Sequence, residues 1–222
     1  MKVSIIIRAY NAEKTLARAI ESALGQSFPK NAFEIIVIDD GSTDQTLNIA
    51  RTFKNVRAVT QENAGAIMAA NRGLKEARGE YVSFLDADDR LEPNFVSVLV
   101  PALESNPDLH FVYCDYWEEG KDKRTLVSPR SPFEGLLGDM LFRAAVLRAE
   151  GGFRTFLFAE YELLLRTIGR WRSVHIEQPL FTYVRHASSI SANKQHVMQA
   201  LEDLKSVHPD KIAIIDTIRT YD

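Results

Sequence analysis

The 222-residue sequence predicts an α/β fold: a mostly parallel sheet with helices on both faces, followed by a smaller and less regular second half. Three observations carry that expectation. Strand-like and helix-like segments alternate through residues 1–92. The strand-like runs are continuously apolar, as in strands buried on both faces. Three of them end in polar clusters, and open α/β sheets bind ligands outside the carboxyl ends of their strands.

The elements follow in order. KVSIIIR (residues 2–8) is a β-branched run, and NAEKTLARAIESALGQ (11–26) places Leu16, Ile20, Ala23 and Leu24 at helical spacing before Gly25. FEIIVIDD (33–40) repeats the strand pattern. In STDQTLNIARTF (42–53), Ser42, Thr43 and Asp44 are candidate caps for a second helix. VRAVTQ (56–61) is a third strand. AGAIMAANRGLKEA (64–77) is a helix with Ile67, Ala70, Leu74 and Ala77 on one face, and YVSFLDADD (81–89) is a fourth strand. Next comes NFVSVLVPALES (94–105), a helix that Pro101 is expected to kink or split. FVYCDYW (111–117) reads as a strand and EEGKDKRTLVSPRSP (118–132) as a mobile polar loop. DMLFRAAVLRAEGGF (139–153) reads as a helix stopped by Gly151 and Gly152, and AEYELLLRTIG (159–169) as another. WRSVHIE (171–177) and LFTYVRH (180–186) read as two short strands, and the chain from Lys194 onward as an amphipathic helical tail.

Bulk properties exclude several function classes. With 45% hydrophobic and 26% charged residues the chain is an ordinary globular one. Its 27 basic and 30 acidic residues give a net charge of −3, so no positive field advertises nucleic-acid binding. The single cysteine, Cys114, excludes an internal disulfide and a cysteine zinc cage, and reads as a buried strand residue. Neither a signal-peptide pattern nor a run of about 18 apolar residues occurs. The expectation is a cytoplasmic protein, with attachment at the cytoplasmic face of a membrane left open.

The chemistry concentrates at strand ends. YVSFLDADDR (81–90) sets Asp86, Asp88 and Asp89 within four positions. Such crowding is favourable only where a cation or hydrogen-bond donors offset the charge. A hard divalent ion, Mn²⁺ or Mg²⁺, does this with one or two carboxylates plus substrate phosphates; a solvated turn is the plain alternative. DDGSTD supplies Asp39 and Asp40, acceptors able to select a nucleobase imide N–H, unless one of them caps the next helix. Tyr10 and Asn11, ending the first strand, are placed to stack on or bond a base and ribose.

Taken together, VSIIIRAYNAEKTLARAIESALGQSF, EIIVIDDGSTDQT, NAGAIMAANRGLKEARGEYVSFLDADD and MLFRAAVLRAEGGF resemble the nucleotide-sugar-dependent glycosyltransferases of family 2, over roughly residues 3–190. The resemblance implies one GT-A domain, with a nucleotide-binding half (1–92), an acceptor-binding half (93–190) and a helical tail (191–222). It implies inverting transfer from a UDP- or dTDP-sugar to a saccharide or lipid-linked acceptor, assisted by Mn²⁺ or Mg²⁺, as in polysaccharide biosynthesis. By the same resemblance Asp40 reads uracil or thymine with Asp39 beside it, and Asn63 and Asn71 match a third segment. Asn63 serves equally as a helix cap, and Asn71 as a solvent-facing residue. Asp86 lies near the ribose in a DXD motif, with Asp88 or Asp89 holding the metal. The segment AEYELLLR matches one that often opens on a Glu-Asp pair. Ala159 replaces the glutamate, and Glu160 is the candidate catalytic base, a helix N-terminal carboxylate being the plain reading. Glu162 is the weaker substitute. YVRHASSIS resembles a segment in which His186 ligates metal or contacts diphosphate and Arg185 offsets leaving-group charge, although Val184 departs from a basic residue.

Arg8 is a further departure, standing where the family usually has proline: it would contact phosphate or point to solvent. Trp117 and Trp171 read as packing residues rather than a sugar platform, and His110, His175, His196 and His208 as surface or packing residues. Ala159 and Arg8 also motivate a catalytically inactive nucleotide-sugar-binding subunit. A metal-dependent phosphoryl or nucleotidyl transferase lacks support, because no P-loop lysine pattern is present. The tail IAIIDTIRTY is apolar enough to pack on the domain, on a second copy in a homodimer, or on a membrane surface.

Overall fold

A computed structural model describes residues 1–186 and 193–218. Its centre is a nine-stranded sheet. β1 (Val3–Ala9) lies between β2 (Phe33–Asp39) and β4 (Tyr81–Asp86), and β3 (Val56–Thr60) flanks β2, all in parallel. The sheet continues from β4 through β8 (Met140–Arg143), β6 (Phe111–Glu119) and β9 (Ser173–Val184) to β5 (Arg90–Leu91), while β7 (Arg124–Val127) pairs with β6. This bears out the expected α/β architecture.

Two apolar layers hold the helices. On one face Ile5, Ile7, Ile35, Val37 and Leu85 meet Leu16 and Ile20 of α1 (Leu16–Leu24), Ala50 of α2 (Thr46–Thr52) and Leu99 of α4 (Phe95–Glu104). On the other face Ile6, Ile36, Ile38, Val82 and Phe84 meet Ala70 and Leu74 of α3 (Ala66–Glu76) and Leu147 of α5 (Ala144–Ala149). The same layer takes Leu163 of α6 (Ala159–Thr167), Leu204 of α7 (Lys194–Val207) and Ile215 of α8 (Ile212–Ile215). Among the described residues no helix is long and apolar enough to cross a membrane.

Four expectations are corrected. Pro101 does not split α4: it lies near the helix end, and Ser105 N–H still reaches Pro101 O at 2.9 Å. The polar loop is a hairpin, since Arg124–Val127 pairs antiparallel with Tyr116–Glu119. Residues 140–143 are a strand, not the start of a helix, because the apolar run MLFR fills the gap between β4 and β6, antiparallel to both. A short apolar run carries no periodicity able to make that distinction. Finally, residues 173–184 form one strand with an irregularity where Asp115 faces Pro179, a position that tolerates the missing N–H.

Asp44 does serve α2 as expected, accepting the Thr46 N–H at 2.9 Å, whereas α3 starts at Gly65 with no cap from Asn63. Cys114 is buried on β6. Trp171 packs against Phe111 and Phe142 and stacks on His110, and Arg124 lies over the Trp117 ring.

Gly73 lets α3 lie directly on β1, where a Cβ would collide with Ile6 Cγ2. Glycine to alanine inside a helix is ordinarily worth about 1 kcal/mol of added stability. Here Gly73→Ala is expected to reverse that sign and cost roughly 1–3 kcal/mol in urea denaturation.

Candidate active site

Parallel pairing sets the geometry. In register, Ala9 faces Asp39 and Arg8 faces Asp86, so the ends of β1, β2 and β4 open onto one rim. The loops there are tied together. Asn11 adopts φ 47°, a left-handed conformation that asparagine tolerates. Its Oδ1 accepts the Thr43 N–H at 2.9 Å, and its own N–H donates to Ser42 Oγ at 3.0 Å. Tyr10 beside it is 52% exposed.

The two neighbouring carboxylates of β2 do different work. Both Asp40 oxygens are spent on the protein: Oδ1 accepts from Gln61 Nε2 (2.7 Å) and Ala64 N–H (3.0 Å), and Oδ2 from Gly65 N–H (2.8 Å). Asp40 therefore ties the start of α3 to the sheet. Asp39 receives the Thr60 hydroxyl on Oδ2 at 2.9 Å, and its buried Oδ1 has no donor. The expectation that Asp40 meets the base is thus at odds with its bonding, and Asp39 holds the open acceptor. Asn63 is exposed on the adjoining loop. Asn71 does not face solvent: it clasps Phe153 by accepting its N–H and donating to its carbonyl, both at 2.8 Å.

The pattern repeats after β4. Asp89 is buried and accepts the Val184 N–H at 2.8 Å; burial, and then the Asp86 and Asp88 charges, push its pKa well above the usual range. It is a strut between β4 and β9, which weighs against its expected role as a metal ligand. Asp88 faces outward and lies 2.6 Å from His186 Nε2. Arg185 Nη1 donates to Glu118 at 3.0 Å, and its backbone N–H to Glu119 O.

Arg8 does not face solvent. Its side chain is 9% exposed, and Nη2 lies 2.6 Å from Asp86 Oδ1. Protein surroundings raise the Asp86 pKa, Arg8 opposing and Asp88 adding to the rise. Glu160, in the first turn of α6, also stands in this field. A helix N-terminus favours ionised carboxylates. Burial outweighs that and the opposing Glu160 backbone hydrogen bond and Arg8 charge, so the pKa rises to about 7 with Asp86 contributing. Glu162 is fully buried and bonded to Arg154 (3.1 Å) and Arg166 (3.0 Å), a structural hub rather than a second base.

One residue and one pairing escaped the sequence reading. Asp139, fully buried before β8, has its pKa pushed well up by burial, with its bond to the Leu136 N–H opposing and Glu160 and Asp115 adding to the rise. No motif marks it. The Arg8–Asp86 pair was findable, because alternation along β1 puts Arg8 on the same face as Ile6.

A family model described as Glycosyl transferase family 2 matches residues 4–162. The Escherichia coli UDP-Glc:alpha-D-GlcNAc-diphosphoundecaprenol beta-1,3-glucosyltransferase WfaP is 34% identical over 220 residues, covering 92% of this chain and 86% of that protein. The E. coli glycosyltransferase YibD is 38% identical over 143 residues, 61% of this chain, and that stretch spans 41% of YibD. Staphylococcus aureus TarS 1–349 has a similar structure, with TM-score 0.75 and 22% identity over 98% of this chain and 69% of that one. So has the Pyrobaculum calidifontis mannosyltransferase PcManGT in complex with GDP-Man and Mn²⁺, with TM-score 0.75 and 18% identity over 97% and 68%. At such identities the likeness speaks for the fold, and it bears out the GT-A architecture.

Two substitutions separate fold from site. Asp40→Ala strands three donors and is expected to cost roughly 2–4 kcal/mol in denaturation. Glu160→Gln has the opposite sign. The folded pKa of Glu160 is about 7 against an ordinary value of 4.5. Stability therefore falls as pH rises through that window, and the penalty is complete above it. At about pH 8 the glutamine variant is expected to exceed the wild type by roughly 1–3 kcal/mol.

Proposed function

The chain belongs to glycosyl transferase family 2, and from that premise we propose that it is an inverting glycosyltransferase, moving a sugar from a UDP-sugar to a saccharide on a lipid-linked acceptor. The observation that carries this reading is Glu160, a carboxyl with a pKa near 7 on the rim where the ends of β1 and β4 open. A general base is most effective when its pKa lies near the working pH.

Each remaining residue has a role compatible with its bonding. Asp39 Oδ1, a buried acceptor without a donor, matches the imide N–H of uracil, which would remove the cost of leaving it unpaired. Tyr10 is exposed enough to stack on the base. Asp86 accepts a ribose hydroxyl while Arg8 holds its other side. Glu160 takes the proton of the attacking acceptor hydroxyl as that oxygen displaces the diphosphate at the anomeric carbon, on the face opposite the leaving group. The name of WfaP, a glucosyltransferase to a diphosphoundecaprenol acceptor, supports a UDP donor and a lipid-linked acceptor.

A divalent ion fits the donor set. Asp88 and His186 supply a hard oxygen and an imidazole nitrogen side by side, and the burial and amide bond of Asp89 favour Asp88 over it. The Mn²⁺ in the PcManGT complex supports this choice. When bound, the ion would neutralise charge on the leaving diphosphate.

Thermal-shift screening of UDP-, dTDP- and GDP-sugars with and without Mn²⁺ tests the donor. The UDP series is expected to stabilise, and Asp88→Ala is expected to lose the Mn²⁺-dependent part of that shift; an unchanged shift places the ion elsewhere. In a transfer assay Glu160→Gln should lower kcat by about 10²–10⁴-fold with the donor KM little altered. The wild-type rate should decline below about pH 7, where Glu160 becomes protonated. Full turnover by the glutamine variant sinks the assignment of the base.

A further inference from the structure

A second polar pair lies on the face of the sheet that carries the candidate site, and none of the steps proposed above uses it. Val82 of β4, Phe142 of β8 and Phe111 of β6 form one row across the sheet. Asp86 and Asp115 stand the same number of residues beyond that row, on β4 and β6. Alternation gives them one face. Val82, Phe84, Phe111 and Tyr113 belong to the apolar layer on which α6 packs, whereas Val112, Cys114 and Tyr116 belong to the opposite one. With β8 between their strands, Asp86 and Asp115 are roughly 10 Å apart.

Asp115 is 5% exposed, and its Oδ1 lies 2.8 Å from Nε2 of His175 on β9. The imidazole stacks on Tyr113, with centroids 4.9 Å apart and planes 13° from parallel, so its ring is held in one orientation. Among the described residues, the other oxygen of Asp115 and Nδ1 of His175 have no protein partner. The imidazole side chain keeps 20% exposure, so a ligand can reach the pair. Trp117 follows Asp115 on the same face of β6 and adds an aromatic wall, with Arg124 over its ring at 4.5 Å.

A brace between strands does not account for this composition. The ladder is irregular there, with Asp115 facing Pro179, which has no N–H to give. A neutral amide would tie His175 as well, without the cost of desolvating a carboxylate. With Nε2–H donating to the carboxylate, the pair presents two acceptors and no donor. Phosphate, an acceptor with negative charge, is repelled by such a pair, whereas hydroxyl groups are matched by it. Acceptors for hydroxyls beside an aromatic ring for a C–H face are what a saccharide requires.

We propose that Asp115 and His175 form a saccharide subsite that takes hydroxyl groups of the acceptor sugar and sets which sugar is accepted. Naming that sugar the acceptor rests on the glycosyltransferase reading above; the saccharide chemistry rests on the pair itself.

Saturation-transfer NMR tests the subsite on the full chain, with UDP and Mg²⁺ present. The probes are methyl glycosides of glucose, galactose, mannose, N-acetylglucosamine, N-acetylgalactosamine and rhamnose, and the wild type is expected to bind at least one of them. Asp115→Asn keeps the oxygen that His175 engages and replaces the open acceptor with a donor, so a brace survives it and a hydroxyl site does not. It should weaken glycoside binding by about 10-fold or more and leave the UDP thermal shift unchanged. His175→Phe, which keeps a ring on Tyr113, should do the same, and it carries the test where the asparagine variant does not fold. One monodeoxy form of the responding glycoside should bind the wild type as weakly as the parent binds Asp115→Asn, with no further loss in that variant. Binding of no glycoside, binding unchanged in both variants, or inorganic phosphate taking the place of the glycoside overturns the inference. A missing UDP response defeats the transferase reading instead and leaves the glycoside comparison intact. In a transfer assay both variants should raise the acceptor KM and spare the donor KM.

Discussion

Parallel pairing of β1 with β2 and β4 is the constraint on which the rest depends. It brings three strand ends to one rim, and with them Asp39, Asp40 and Asp86, with Asp88 and Asp89 just beyond. Like charges so gathered repel, and a fold that concentrates them must supply donors or cations nearby. Much of the architecture around the rim answers that demand. The loop before α3 donates two amides and a side-chain amide to Asp40, the end of β9 donates an amide to Asp89, and β1 itself contributes Arg8.

The donors are shared out unequally, and that inequality is informative. In each adjacent pair one carboxylate is consumed by the fold and the other keeps acceptor capacity. Asp40 and Asp89 are structural ties. Asp39 retains an oxygen without a donor, and Asp88 meets only an imidazole among the bonds described here. Glu162 and Glu160 divide in the same way across two residues of α6: the first is locked between arginines in the core and the second stands at the rim. Under the glycosyltransferase reading proposed above, a ligand would meet the members of each pair that the protein has not already satisfied.

This division explains what could be read from the sequence. The β-α alternation and the shared rim were legible because periodicity and strand-end composition are local properties, and the segment likeness ordered them into one family. Which member of DD or DADD faces the ligand was not legible, since it depends on amides that arrive from Ala64, Gly65 and Val184, far along the chain. The second half was harder for a related reason. MLFR is a strand only because a gap between β4 and β6 awaits it, and the segment 173–184 reads as two strands until β6 is present to carry it past Pro179. Non-local pairing decides such segments, and propensity yields to it.

The base illustrates how two opposing effects fix a chemical property. A carboxylate in the first turn of a helix is ordinarily held ionised by the unsatisfied amides there, an effect of about 0.3–1 kcal/mol at an exposed site. At Glu160 the surroundings are protein rather than water, and the desolvation penalty prevails, with the pKa settling near 7. Burial acts the same way on Asp139 nearby, pushing its pKa well above the usual carboxylate range. The backbone bond within Glu160 and the cation on β1 limit the rise. In the first turn of α6 the carboxyl's pKa is thus set by a desolvating environment on one side and by a backbone hydrogen bond and a buried arginine on the other.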